Sequence, residues 1–122
     1  MTESEFYKKI FKPYLVKNGC FHYRVEHERM PDIYTSKKGF GVFWFELKVI
    51  NKERKDGLIK PDWRTGQLAW IREHKRLGED SVVLCLYYVG KVFYLEPKEF
   101  YTKEELLDVK LKEVFNGHEF FV

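Results

Sequence analysis

Residues 31 to 48, PDIYTSKKGFGVFWFELK, set three charged side chains, Asp32, Glu46 and Lys48, into a run of aromatic and β-branched residues. The run reads as two strands, about 31–35 and 42–50, joined by the turn chemistry of SKKGFG. Side chains alternate across a strand. Val42, Trp44, Glu46, Lys48 and Ile50 therefore share one face, and Phe43, Phe45, Leu47 and Val49 the other. A turn pivoting on Gly39 pairs residues equidistant from it, which sets Asp32 opposite Glu46, Tyr34 opposite Trp44 and Met30 opposite Lys48. Like charges about 4 Å apart repel by roughly 4 kcal/mol at an effective dielectric of about 20. Either one acid takes a proton or a cation sits between the two. Lys48 partly neutralises the pair. A divalent ion does so with better chemistry, since Mg²⁺ takes carboxylate oxygens and keeps several waters. Such an ion can hold a phosphate and acidify a water, with Lys48 orienting that water or meeting charge on the phosphorane. The bland alternative is a surface ion pair between Glu46 and Lys48, with Asp32 as a turn residue after Pro31.

The flanking sequence supplies a helix–strand order. Thr2 with Glu5 fits a capping box, and ESEFYKKIFKPYL runs at helical spacing with Phe6, Ile10 and Tyr14 on one face. Pro13 is expected to kink or end this helix, and Gly19 to turn the chain. CFHYRVEHER reads as a strand. Residues 51–65, NKERKDGLIKPDWRT, form a polar, basic loop broken by Gly57 and Pro61. TGQLAWIREHKRLG then reads as a helix with Leu68, Ile71 (or Arg72) and Lys75 on one ridge, stopped by Gly78. SVVLCLYYV and VFYLEP are strands joined by Gly90-Lys91 as a type II′ turn. TKEELLDVKLKEVF is expected to be a helical or partly helical tail. The order αβββαββ(α) describes one mixed α/β (α+β) domain over residues 1–122.

The totals agree with that reading. A chain of 122 residues makes one domain and buries roughly two-thirds of its unfolded surface. An apolar fraction of 44% and an aromatic fraction of 18% belong to a packed core rather than to disorder. Cys20 and Cys85 sit in apolar runs without metal spacing and read as small core residues in a reducing compartment. No long uncharged apolar run suggests a membrane span, and MTESEFYKK is not a secretory signal. These features point to an intracellular protein. A net charge of +3 says little by itself about a polyanionic partner.

Pro31-Asp32, thirteen residues, then Glu46-Leu47-Lys48 resembles the motif of the PD-(D/E)XK nuclease superfamily. The order of elements is similar to that family's restriction-endonuclease-like core, a central mixed sheet of about five strands flanked by helices. Within the superfamily the chain most resembles the VRR-NUC group and Holliday junction resolvases, through the acidic helix start ESEF and the glutamine of GQLAWIREHKRLG. The resemblance covers roughly residues 2 to 97. It implies a metal-dependent DNA endonuclease, with Asp32, Glu46 and the main-chain carbonyl of Leu47 binding Mg²⁺, for which Mn²⁺ substitutes. It further implies catalytic roles for Lys48 and Gln67, and a helix-one glutamate at the metal. Glu3 fits that place better than Glu5, because it lies on the Phe6–Ile10 face while Glu5 serves the capping box. The small residues usual before the PD pair are replaced by ERMPD, and the valine-arginine-arginine signature that names the subgroup is not visible. Pro61-Asp62 is a second PD with no (D/E)XK after it, and reads as loop chemistry.

Lys52, Arg54, Lys55, Lys60 and Arg64 leave directly from the strand bearing Glu46 and Lys48, where a phosphate backbone would pass. Lys37 and Lys38 at the hairpin tip could reach the same duplex. Trp63 either stacks on a splayed base or packs on the domain, and Arg24 and Arg29 are candidates to line the groove. His22, His27 and His74 lack ligand spacing. Recognition by DNA shape is expected over sequence readout, because no helix-turn-helix or finger is visible. Resolving a four-way junction takes two cuts, which implies a homodimer. The alternatives are a restriction-like or nicking nuclease on duplex DNA, and a catalytically silent DNA-binding module of the same fold.

Overall fold

The strand pairing set by the Gly39 pivot is the pairing observed. The structure, a computed structural model, describes residues 1–77, 81–107 and 113–115. Strand β2 (Ile33–Lys37) lies antiparallel to β3 (Gly41–Ile50), with Ile33 opposite Phe45 and Tyr34 opposite Trp44. On the outer side β2 also pairs with β1 (Phe21–Arg24). On its other side β3 runs parallel to β4 (Ser81–Tyr88), and β5 (Lys91–Leu95) and β6 (Glu113–Phe115) follow in antiparallel order. The sheet is thus ordered β1-β2-β3-β4-β5-β6, with one parallel pair at its centre. That pair requires a crossover, which residues 51–80 supply around helix α3 (Gln67–Arg76).

The first helical segment covers one face of the sheet. It consists of α1 (Glu3–Phe6), a π-helical turn (Tyr7–Phe11) and α2 (Lys12–Lys17). The capping box is present, with the Thr2 hydroxyl accepting from Glu5 N and the Glu5 carboxylate from Thr2 N. Pro13 neither ends nor breaks the helix. Proline has no N–H to give and its ring crowds the carbonyl four residues back. The wider turn just ahead of it, closed by Lys12 N–H on Tyr7 O, lets the helix run on to Lys17. Phe6, Phe11, Tyr14 and Leu15 pack against Ile33, Phe45, Leu47, Cys85 and Tyr94. Phe11 and Phe45 meet edge to face at 4.9 Å.

A second apolar cluster fills the opposite face, where Leu84, Leu86, Phe93 and Leu95 meet Ile59, Tyr101 and Leu106. Ile59 bridges to Tyr101, and Leu106 belongs to a short helix, α4 (Lys103–Leu107). Glu46 and Lys48 stand opposite Leu84 and Leu86 and share this second face. The roof over that face is what buries them.

Three further expectations change. The sheet has six strands rather than five, because part of the expected helical tail forms β6 against β5; backbone groups of an edge strand supply a pairing that helical spacing does not register. The β4–β5 turn residues are Val89 and Gly90, both left-handed at φ 46° and 74°, with Tyr88 paired to Lys91. Two left-handed residues make a type I′ turn in place of the expected II′. The buried ridge of α3 is Gln67 and Ile71, while Leu68 is only half-buried and Lys75 exposed. Gly78, the expected stop of α3, lies outside the described residues. Among the described residues, no helix is long and apolar enough to cross a membrane.

Candidate active site

Asp32 and Glu46 hold each other through their backbones. Asp32 N donates to Glu46 Oε1 at 3.1 Å, and Leu47 N donates to Asp32 Oδ2 at 3.0 Å. One oxygen of each carboxylate is spent on the other strand. The second oxygen of each, Asp32 Oδ1 and Glu46 Oε2, faces the Nη2 of Arg64, at 3.5 and 4.0 Å. Register makes this possible, because a one-residue slip of the Asp32 strand against β3 would send Asp32 to the face opposite Glu46.

Lys48 lies deeper. It is 3% exposed, and its ammonium donates to the Asp62 carbonyl at 2.6 Å while standing 3.2 Å from Glu46 Oε2. The Trp63 ring lies beneath it at 5.5 Å. By its sequence Pro61-Asp62 reads as loop chemistry. Its backbone is in fact the acceptor that fixes the lysine, a role that leaves no trace in side-chain type. Trp63 is the packed alternative of the two considered, since it sits against the second apolar cluster and its indole N–H donates to Lys98 O at 2.9 Å.

Gln67 is fully buried at the start of α3. Its Oε1 accepts from Arg64 N at 2.9 Å, and its amide end lies near enough to Glu46 to favour the charged carboxylate. Gln67 Nε2 and Glu46 Oε2 nevertheless find no hydrogen-bond partner among the described residues, although the Lys48 ammonium stands 3.2 Å from that oxygen. A buried carboxylate oxygen and a buried amide nitrogen, both without a hydrogen bond among the described residues, fit a missing ligand better than a finished core.

The cost of this arrangement falls on Glu46. Burial first, then the Asp32 charge, push its carboxyl up to about 7, and Lys48 and Gln67 offset only part of that. Glu3 joins the same field. Although the residue is exposed as a whole, its carboxyl end is desolvated and held above the usual range, with Lys48 lowering and Asp32 raising it. Asn51 Nδ2, just past β3, donates to Met1 O at 2.9 Å and fixes the chain start that carries Glu3. Glu5 instead pairs with Lys9 at 3.3 Å on the solvent side. Among the described residues no group of three His, Cys, Asp or Glu gathers as a ready-made metal cluster, so Glu3 faces the pair without closing on it.

The basic residues divide. Lys52, Lys55 and Lys60 are exposed on the crossover that follows β3. Arg54 is engaged by Asp56, with Nη2 at 2.9 Å from Oδ2. Arg64 lies at the carboxylates themselves, nearer than a backbone-contacting cation was expected to be. Lys38 is exposed at the hairpin tip, whereas the Lys37 ammonium donates to the Asn18 carbonyl beyond α2, away from the acids. Arg24 is not on the groove: its guanidinium covers the Tyr7 ring at 4.8 Å on the helix-covered face. Arg29 packs against Gly66 at the start of α3.

No protein-family model and no curated protein sequence matches the chain. Among solved structures, the chain is similar to Hjc, a Holliday junction resolvase from the archaeal hyperthermophile Archaeoglobus fulgidus. The two are 18% identical, the match covers 88% of this chain and 81% of that one, and the TM-score is 0.40.

Proposed function

We propose that the chain is a divalent-metal-dependent DNA endonuclease that hydrolyses phosphodiester bonds and selects its DNA by shape, at branched or Holliday-type junctions. The observation that carries the reading is the pair of oxygens that no backbone N–H takes, Asp32 Oδ1 and Glu46 Oε2, turned toward one cation position beside a buried lysine. Hard oxygen donors of this kind suit Mg²⁺ or Mn²⁺. Asp32, Glu46 and the Leu47 carbonyl would hold the ion, with Glu3 adding a further acidic group to its surroundings. Once bound, the ion would neutralise phosphate charge and acidify a water.

The protein's own groups do the rest. The Lys48 ammonium is aimed by the Asp62 carbonyl and by Glu46, so it meets the attacking water or the charge growing on phosphorus without first reorganising. Gln67 steadies the loop carrying Arg64 and turns its amide end toward Glu46. Lys52, Lys55 and Lys60 offer phosphate contacts along the crossover, with Arg54 and Lys38 farther out. The preference for branched over linear DNA follows the resemblance of the Asp32–Lys48 motif and its flanking elements. Paired cuts at a junction would bring two copies of the chain together. A bacterial or phage-infected cytoplasm is the setting this activity suits.

The test is cleavage of junction, flap, duplex and single-stranded DNA with Mg²⁺, comparing wild type with Asp32→Ala and Glu46→Ala. Loss of cutting in both variants with the fold retained is the expected result. Wild-type rates in either variant would overturn the site. Binding of DNA without any cutting by wild type would leave the silent module instead.

A further inference from the structure

Arg64 was expected to touch the DNA backbone, yet it is the group that now completes the carboxylate pair. Its Nη2 stands 3.5 Å from Asp32 Oδ1 and 4.0 Å from Glu46 Oε2, the two oxygens that no backbone N–H takes. The side chain is aimed there from two sides. Arg64 Nε donates to the Glu28 carbonyl at 3.0 Å, and its main-chain N–H donates to the buried Gln67. Arg29 from the same loop as Glu28 packs against Gly66, so this loop and the start of α3 close together over the acids. Lys48 shares Glu46 Oε2 at 3.2 Å, but its ammonium is held by the Asp62 carbonyl, and among the described residues it makes no ion pair with Asp32; only Arg64 spans both acids. The Arg64 side chain is 45% exposed, which gives it room to swing off the acids.

We infer that Arg64 is the resident counter-cation of Asp32 and Glu46, and that a divalent ion must compete with it for the same two oxygens. The inference rests on the metal reading of the site given above. A guanidinium and a dication cannot both sit against these oxygens without repelling, so the arginine weakens metal binding whether it is displaced or stays nearby. A guanidinium driven off the acids is also a strong phosphate partner, and it would leave toward the open side from which a phosphodiester arrives. Arg64 therefore protects the acid pair while the site is empty and is released to substrate as the ion enters.

The test is calorimetric titration of Mn²⁺ into metal-free wild type, Arg64→Gln and Arg64→Lys, with no DNA present and with folding checked by circular dichroism. Removing a partly exposed ion pair should tighten Mn²⁺ binding by about fivefold to tenfold in Arg64→Gln. Arg64→Lys, which keeps the charge on a shorter and less directed arm, should fall between that variant and wild type. Equal or weaker Mn²⁺ binding in both variants, with wild type binding normally, would overturn the inference and leave the metal site standing. Absence of Mn²⁺ binding in all three proteins would overturn both. If Arg64→Gln does not fold, the comparison of Arg64→Lys with wild type decides alone, tighter binding supporting the competition and unchanged binding refuting it.

Discussion

Glu46→Gln in the metal-free protein isolates the strain stored at the site. The Glu46 side chain is fully buried, and its carboxyl moves from 4.5 to about 7 on folding, chiefly through burial and secondarily through Asp32. Between those values the unfolded chain has released its proton while the folded protein still holds it, so stability falls as pH rises. At about 1.36 kcal/mol per unit, the loss is roughly 3 kcal/mol, present in full below pH 4.5 as stability and gone above about pH 7. Glutamine keeps the shape and cannot titrate. The variant also loses the Lys48 ion pair, an offset that is best removed by reading slope rather than level. Urea denaturation in EDTA from pH 4 to 8, followed by tryptophan fluorescence, gives the two curves. Wild-type stability minus variant stability should fall by roughly 3 kcal/mol across the range. Asp32→Asn should move the upper end of the fall below pH 7, because it removes the second cause of the shift. A difference that is flat, or that rises with pH, would refute the assignment of a strained acid at position 46.

Excess Mg²⁺ at pH 8 should stabilise wild type by about 2.7 kcal/mol when its concentration is a hundred times the dissociation constant; thermal melts of Asp32→Asn and Glu46→Gln should show no such gain. Lys48→Met should abolish cleavage and destabilise the metal-free protein by about 3 kcal/mol at pH 8, with a smaller loss at pH 5, because it strands a buried carboxylate. Val89→Asn should stabilise by about 1 kcal/mol in chemical denaturation, since Val89 is a β-branched residue held at φ 46° in an exposed turn. Gly66→Ala should cost about 1 kcal/mol or more, because φ is 86° and a Cβ there would stand 3.1 Å from the Arg29 side chain; the same denaturation assay reads it.

The parts of this molecule that follow from local alternation were open to reading. Gly39 and the period of two place Asp32 against Glu46, and the Thr2–Glu5 box starts the first helix where expected. What escaped depends on backbone groups or on distant partners. The Asp62 carbonyl that aims Lys48 would be the same whatever side chain stood at that position. Arg64 looks from its neighbours like one more loop cation, and only the crossover brings it over the acids. Gln67 appears polar and first-turn, yet the roof over the second face buries it. The β6 segment carries a charged, helix-like spacing, and the free edge of β5 decides its pairing instead. The type I′ turn was hidden because valine is a poor left-handed residue, and tertiary pairing of Tyr88 with Lys91 overrides that preference.

The parallel junction between β3 and β4 carries a kinetic consequence. A hairpin such as β2–β3 can close early from residues near in sequence, bringing both acids together at once. The crossover after Ile50 must be traversed before Ser81 can dock beside Phe43, and long-range parallel pairing is slow to nucleate. During that interval the acid pair is already formed, while the ammonium anchor at Asp62 and the amide of Gln67 are still unassembled. Pulsed hydrogen exchange should therefore find the Asp32 and Leu47 amides protected ahead of those in α3.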